Sequence, residues 1–135
     1  MQEYIISIDP GREKSGIALL DMSGSVVEMT VLPDAEIPSF LATLKDKYHI
    51  RLAALGNGTG FQAISEKIKK MGWEIIIVDE KGSTLEGRNL AWKENPPPWF
   101  IRILPRIFWL TPRNLDAWAA VAIAKRALQS LKNQI

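Results

Sequence analysis

Tyr4-Ile5-Ile6-Ser7-Ile8-Asp9-Pro10-Gly11 is an apolar run that ends on an acid and passes straight into turn chemistry. The run reads as a buried strand, and the break follows because Pro fixes φ while Gly admits a positive one. Working outward, residues 16–20 and 25–31 read as two further strands, with Met22-Ser23-Gly24 as the hairpin signal between them. After Pro33, the apolar positions Ile37, Phe40, Leu41, Leu44 and Tyr48 recur at intervals of a helix. Residues 51–55 then form a small buried strand. Phe61, Ile64 and Ile68 mark a second helix, ended by Gly72 where a C-cap belongs.

Residues 73–79 are the most β-branched strand of the chain, and Ser83 and Glu86 have the spacing of a capping box at the start of a third helix. Asn95-Pro96-Pro97-Pro98 forbids regular structure, and Thr111-Pro112 starts the last helix with Pro near its first turn. A hairpin-linked trio of strands followed by βα units implies an α/β chain. Its sheet is mixed and five-stranded with helices on both faces, because parallel neighbours need crossover connections.

The chain has 135 residues, a length that one hydrophobic core fills, so residues 1–135 read as a single domain. It contains no cysteine, which excludes a disulfide framework and a thiolate zinc site. No apolar run approaches the roughly 20 residues that cross a bilayer, and the first residues read as strand rather than as a leader. The expectation is a cytoplasmic protein without a membrane partner. Formal net charge is only +2, yet phosphate contacts depend on local charge. Between residues 92 and 113, Lys93, Arg102, Arg106 and Arg113 stand against the single acid Glu94.

Three acids fall at element ends: Asp9 closes the first strand, Glu80 follows Ile75-Ile76-Ile77-Val78-Asp79, and Asp116 opens the last helix. Each has an ordinary alternative, as a turn residue, a solvated strand end and a helix-dipole partner. Together they converge, because an open parallel sheet brings strand ends to one edge, where ligands normally sit. Asp116 shares a helical face with Ala120, Ile123, Ala127 and Leu131, a stripe that should face the sheet and aim the acid at that edge. Clustered carboxylates repel, and a bound cation keeps all of them ionised. All-oxygen ligation favours Mg²⁺ or Mn²⁺ over zinc, and the chemistry such a centre suits is metal-assisted hydrolysis.

Ile8-Asp9-Pro10-Gly11, followed by Lys14, Gly16 and Ala18, resembles the first-strand motif of RuvC-type Holliday-junction resolvases and the related YqgF family. Val78-Asp79-Glu80 before Ser83-Thr84 resembles the YqgF acidic strand end, and Leu115-Asp116 before Ala119-Ala120 resembles the motif that supplies the last acid. The resemblance implies an RNase H-like fold with Asp9, Glu80 and Asp116 as catalytic metal ligands. It implies cleavage of phosphodiester bonds in branched DNA or in structured RNA such as a ribosomal precursor. In that scheme Asp9 bridges two ions, and Glu80 and Asp116 each complete one side. Lys14, Arg88 and Arg113 neutralise phosphate, and Asn57 is a candidate hydrogen-bond partner for phosphate or sugar. RuvC resolvases usually carry a fourth acid in the last helix; Ala119 occupies that position here, as the YqgF branch tolerates.

Two other function classes stand beside the nuclease. A nucleic-acid-binding protein that kept the fold without catalysis fits the absence of a fourth acid. An actin-like or sugar-kinase phosphate loop at Asp9-Pro10-Gly11 would need a second nucleotide-binding half, for which 135 residues leave no room. Trp92, Trp99, Phe100, Phe108 and Trp109 among basic residues suit base stacking along a phosphate track, and suit a homodimer interface equally well.

Overall fold

The computed structural model describes residues 2–58, 60–79, 90 and 115–133. Strands β1 (Tyr4–Asp9), β2 (Lys14–Asp21) and β3 (Val26–Pro33) come first, then a single 3₁₀ turn (Asp34–Glu36) and helix α1 (Ile37–Lys47). β4 (Ile50–Gly56), α2 (Phe61–Lys69), β5 (Glu74–Val78) and the closing helix α3 (Leu115–Asn133) complete the described elements. The third helix expected after Ser83, the proline-rich crossing and the residues 92–113 lie outside the described residues.

The sheet is five-stranded and mixed, in the order β3-β2-β1-β4-β5. β1 and β3 run antiparallel to β2, whereas β4 and β5 continue parallel to β1. β1 is therefore the central strand, flanked on both sides and covered on both faces. Such a strand must be apolar along its whole length rather than alternating, and Ile5, Ile6, Ser7 and Ile8 are all fully buried. Alternation assigns the faces. Ile6 and Ile8 point, with Ile17, Leu19 and Leu55, into a cluster with Ile37, Leu41 and Leu44 of α1 and Ile64 and Ile68 of α2. Ile5, Ala18, Leu20, Leu52 and Ala54 point the other way, onto Trp118, Ala120, Ile123, Ala124 and Ala127 of α3. Helices thus cover both faces, as the order of elements implied.

Element ends depart from the sequence reading where pairing extends them. β2 begins at Lys14 and β3 reaches Pro33, because those residues pair directly with each other. The hairpin turn lies where expected, with Gly24 at φ 97° and its N–H donating to the Asp21 carbonyl at 3.0 Å. Gly72 takes φ 82° just past α2, whose last carbonyls accept from Met71 and Gly72. Gly11 does not use the positive φ that glycine permits, which among the described glycines Gly24, Gly60 and Gly72 adopt. The reason for glycine there is close approach: a Cβ on Gly11 would collide with the Lys14 carbonyl oxygen.

Candidate functional site

Asp9 is the last residue of β1 and lies opposite Gly16 in the antiparallel ladder with β2. Directly paired residues point their side chains to the same face of a sheet. For this pair it is the α3 face, since Ile5 and the Ser7 hydroxyl, four and two residues earlier, both meet α3. Gly16 has no side chain because α3 begins there: a Cβ on Gly16 would overlap the Asp116 carbonyl and come within 2.9 Å of the Ala117 nitrogen. The first turn of α3, which carries Asp116, therefore rests on the residue that faces Asp9. Two acids 107 positions apart in sequence, Asp9 and Asp116, are brought to one edge of the sheet by a single backbone contact.

A second contact holds α3 one turn further along. Ser7 donates its Oγ–H to the Ala120 carbonyl at 2.6 Å in a fully buried position. A third joins α3 to the end of β5, where the Arg126 guanidinium donates to the carbonyl of Asp79. The stripe expected on this helix is real, with Ala120, Ile123 and Ala127 fully buried and Leu131 packed against the same cluster. It is also too narrow, because every residue from Ala117 to Ala124 is buried. Ala119, where the resolvase pattern has a fourth acid, is only 1% exposed, so the position is a packed one.

Lys14 opens β2 two residues before Gly16, which puts it on the α3 face at the same edge, and it is exposed. Asn57 follows the last residue of β4, is exposed, and donates its backbone N–H to the Val78 carbonyl at 3.2 Å. Glu80, Arg88 and Arg113 lie outside the described residues, as do Ser83 and Thr84. Val78, two residues before Glu80, packs on the α3 cluster. Among the described residues no three His, Cys, Asp or Glu side chains gather as a metal site, and of the three expected ligands Asp9 and Asp116 are the two that lie among those residues. Their donors are hard oxygens, a set that fits Mg²⁺ or Mn²⁺.

His49 belongs to the opposite end of the sheet. Its carbonyl accepts from Tyr4 N–H at the start of β1, five strand residues and roughly 17 Å from Asp9. The sequence reading missed the part played by Ser7, although the signal was present as one hydroxyl in an otherwise aliphatic buried run. Gly16 was read as a motif letter, and its work as the seat of Asp116 emerges only when α3 is laid on the sheet.

No protein-family model matches the chain, and no curated protein matches its sequence. Solved structures do resemble it. Thermus thermophilus RuvC superposes with a TM-score of 0.58 at 14% identity, covering 96% of each chain. A ROK-family transcriptional regulator, a homologue of the E. coli MLC protein, gives a TM-score of 0.47 at 17% identity over 65% of this chain. The ethanolamine utilization protein EutJ of Carboxydothermus hydrogenoformans gives 0.47 at 17% over 62%. The chain spans 30% and 39% of the length of those two proteins. The sheet order together with the likeness to RuvC along almost the whole of both chains gives the fold as RNase H-like, in the α/β class. Among the described residues no helix is long and apolar enough to cross a membrane.

Proposed function

We propose that this chain is a divalent-metal-dependent endonuclease that hydrolyses phosphodiester bonds in structured nucleic acid, branched DNA or a folded RNA such as a ribosomal precursor. The observation that carries the reading is the seating of Asp116 on Gly16, opposite Asp9. A strand end and a helix start that are distant in sequence need no such meeting for stability. Carboxylates gathered at one edge are the hard oxygen donors that a divalent cation takes.

Asp9 and Asp116, with Glu80 as the third ligand, would hold Mg²⁺ or Mn²⁺. A divalent ion so held supplies Lewis acidity toward a scissile phosphate and lowers the pKa of a bound water. The chain's own residues do the rest. Lys14, exposed on the same face, would offset phosphate charge, as would Arg88 and Arg113, while Asn57 would supply a hydrogen-bond donor beside the β4 end.

The buried Ala119 favours a second reading, a nucleic-acid-binding protein that kept the fold without cleavage. One experiment separates the two. A labelled four-way DNA junction, single-stranded DNA and a structured precursor RNA are incubated with the protein and Mn²⁺ or Mg²⁺, beside Asp9→Asn. Cleavage should fall at least about a hundredfold in the variant, because loss of outer-shell partners alone costs metal sites about 10- to 100-fold, with folding and nucleic-acid affinity retained. Turnover that survives Asp9→Asn removes the assignment, and binding without any cleavage establishes the non-catalytic reading.

A further inference from the structure

The hydroxyl of Ser7 is unexpected where it lies. β1 is central, Ile5, Ile6 and Ile8 around it are fully buried, and so is Ser7 itself. An aliphatic or an alanine would fill such a place without the cost of burying a polar group, which is avoided only by a good hydrogen bond. The bond is made, at 2.6 Å, to the Ala120 carbonyl. That carbonyl sits inside a helix whose own ladder already supplies it a donor, and its second lone pair takes the hydroxyl. The helix does not need Ser7 for its own hydrogen bonding, so the bond must be explained by what it does between elements.

Its geometry gives the explanation. Ala120 is four residues past Asp116, a rise of about 6 Å along a helix. Ser7 is two residues before Asp9, about 7 Å along a strand. The two spans match and both lead to the same edge, where the start of α3 rests on Gly16. The surface of α3 that meets the sheet sets Ala120, Ala124 and Ala127 among larger side chains, Trp118, Val121, Ile123 and Leu128. Small side chains allow close approach but form shallow ridges, and apolar contact has no direction. Where the alanines meet the sheet, such contact resists separation better than it resists sliding. A hydrogen bond is directional, and this one fixes how far along β1 the helix sits.

We infer that Ser7 is a positioning residue that sets the register of α3 on β1 and thereby holds the Asp116 carboxylate at the height of Asp9. The inference rests on the reading of those acids as metal ligands. Positioning to a fraction of an ångström is what a metal site demands of the elements that carry it.

The test uses the full chain, Mn²⁺ alone as probe, and the free-ion signal in electron paramagnetic resonance as readout. The variants are Ser7→Ala, Ser7→Cys, which restores volume with a poor donor, and Ile68→Val, a core deletion on the opposite face. Mn²⁺ affinity should fall about tenfold in both Ser7 variants, the lower end for loss of a supporting contact, and stay at the wild-type value in Ile68→Val. Amide exchange in the first two turns of α3 should accelerate in the Ser7 variants only. Unchanged affinity, with or without faster exchange, overturns the positioning role, as does an equal loss in Ile68→Val. Wild-type protein whose Mn²⁺ binding is absent, or insensitive to Asp9→Asn, overturns instead the metal-site reading beneath it. The exchange arm still reports whether Ser7 fixes the helix.

Discussion

Toward α1 and α2 the sheet presents Ile6, Ile8, Ile17, Leu19 and Leu55, and those helices answer with Ile37, Leu41, Leu44, Ile64 and Ile68. Toward α3 it presents Ile5, Leu20 and Leu52 beside Ala18, Ala54, Ser7 and the bare Cα of Gly16, answered by Trp118, Val121, Ile123 and Leu128 beside Ala120, Ala124, Ala127 and the backbone of Asp116. The first face buries large aliphatic side chains, each worth about 1.5–3 kcal/mol of transfer free energy. The second buries such side chains too, and at Gly16 and Ser7 it also brings α3 backbone directly against the strands. Both sides of β1 bury large apolar side chains, and the backbone contacts that give positional accuracy lie on the α3 side. Asp9 ends the strand on the accurate side, since it shares the parity of Ile5 and Ser7.

The comparison breaks first at Gly16. Gly16→Ala adds one methyl group where the Asp116 carbonyl already lies, so the start of α3 must lift away. Overpacking of this kind costs about 1–3 kcal/mol. A displacement near 1 Å at a site of reaction costs on the order of a hundredfold in turnover. Chemical denaturation should show a modest loss of stability, and cleavage assayed on the folded protein a much larger loss of rate. A variant that is destabilised but turns over normally would show that the contact packs the helix without placing the acid.

The opposite face should respond the other way. Leu41 is fully buried in the aliphatic cluster, and Leu41→Ala there should cost about 2–5 kcal/mol, by lost transfer free energy and the cavity left behind. Turnover per folded molecule, measured well below the new melting temperature, should stay within about a factor of two of wild type, because α1 carries none of the candidate ligands. A rate loss as large as that of Gly16→Ala would mean that the two faces are mechanically coupled through β1, and that the division drawn between them is wrong.

How far the chain could be read without its structure follows the same division. The aliphatic face was legible, because period-two strands and period-three-and-four helices leave their spacing in the sequence and large residues mark it: Ile37, Leu41 and Leu44 announce α1 directly. The mixed sheet followed from the hairpin at Gly24 and the βα alternation after it. The accurate face was harder. An alanine-rich helix shows a wide buried surface only when neighbours are placed on it, so the stripe through Ala120 and Ile123 was drawn too narrow. Glycines carry no side-chain signal at all. Gly11 makes room for the Lys14 carbonyl three residues on, whereas Gly16 makes room for the carbonyl of Asp116, and nothing local in sequence encodes that distant segment. Asp9 and Asp116 were legible as end-of-element acids, but their meeting depends on a contact spanning most of the chain.

The smallest effect belongs to a carboxylate at the other end of β2. Asp21 accepts through Oδ1 from the Ser23 hydroxyl at 2.6 Å, and from the backbone N–H groups of Ser23 and Ser25 at 3.0 Å each. The Ser23 hydroxyl first, and then the Ser25 N–H, hold its pKa below the ordinary 3.8. A carboxylate whose folded pKa is depressed adds stability that is fully present above its unfolded value, and loses it as pH falls through the folded one. Asp21→Ala should therefore lower the melting temperature by no more than a few degrees at pH 7, and the gap from wild type should shrink below about pH 4. Asp21→Asn keeps the acceptor without its charge and should fall between the two at pH 7. Both variants should cleave at the wild-type rate, because this acid satisfies only its own hairpin, on an exposed turn at the end of β2 remote from Gly16. A loss of turnover in Asp21→Asn at unchanged stability would show that the hairpin reports to the edge through β2, so that accuracy is a property of the whole strand rather than of the seat at Gly16.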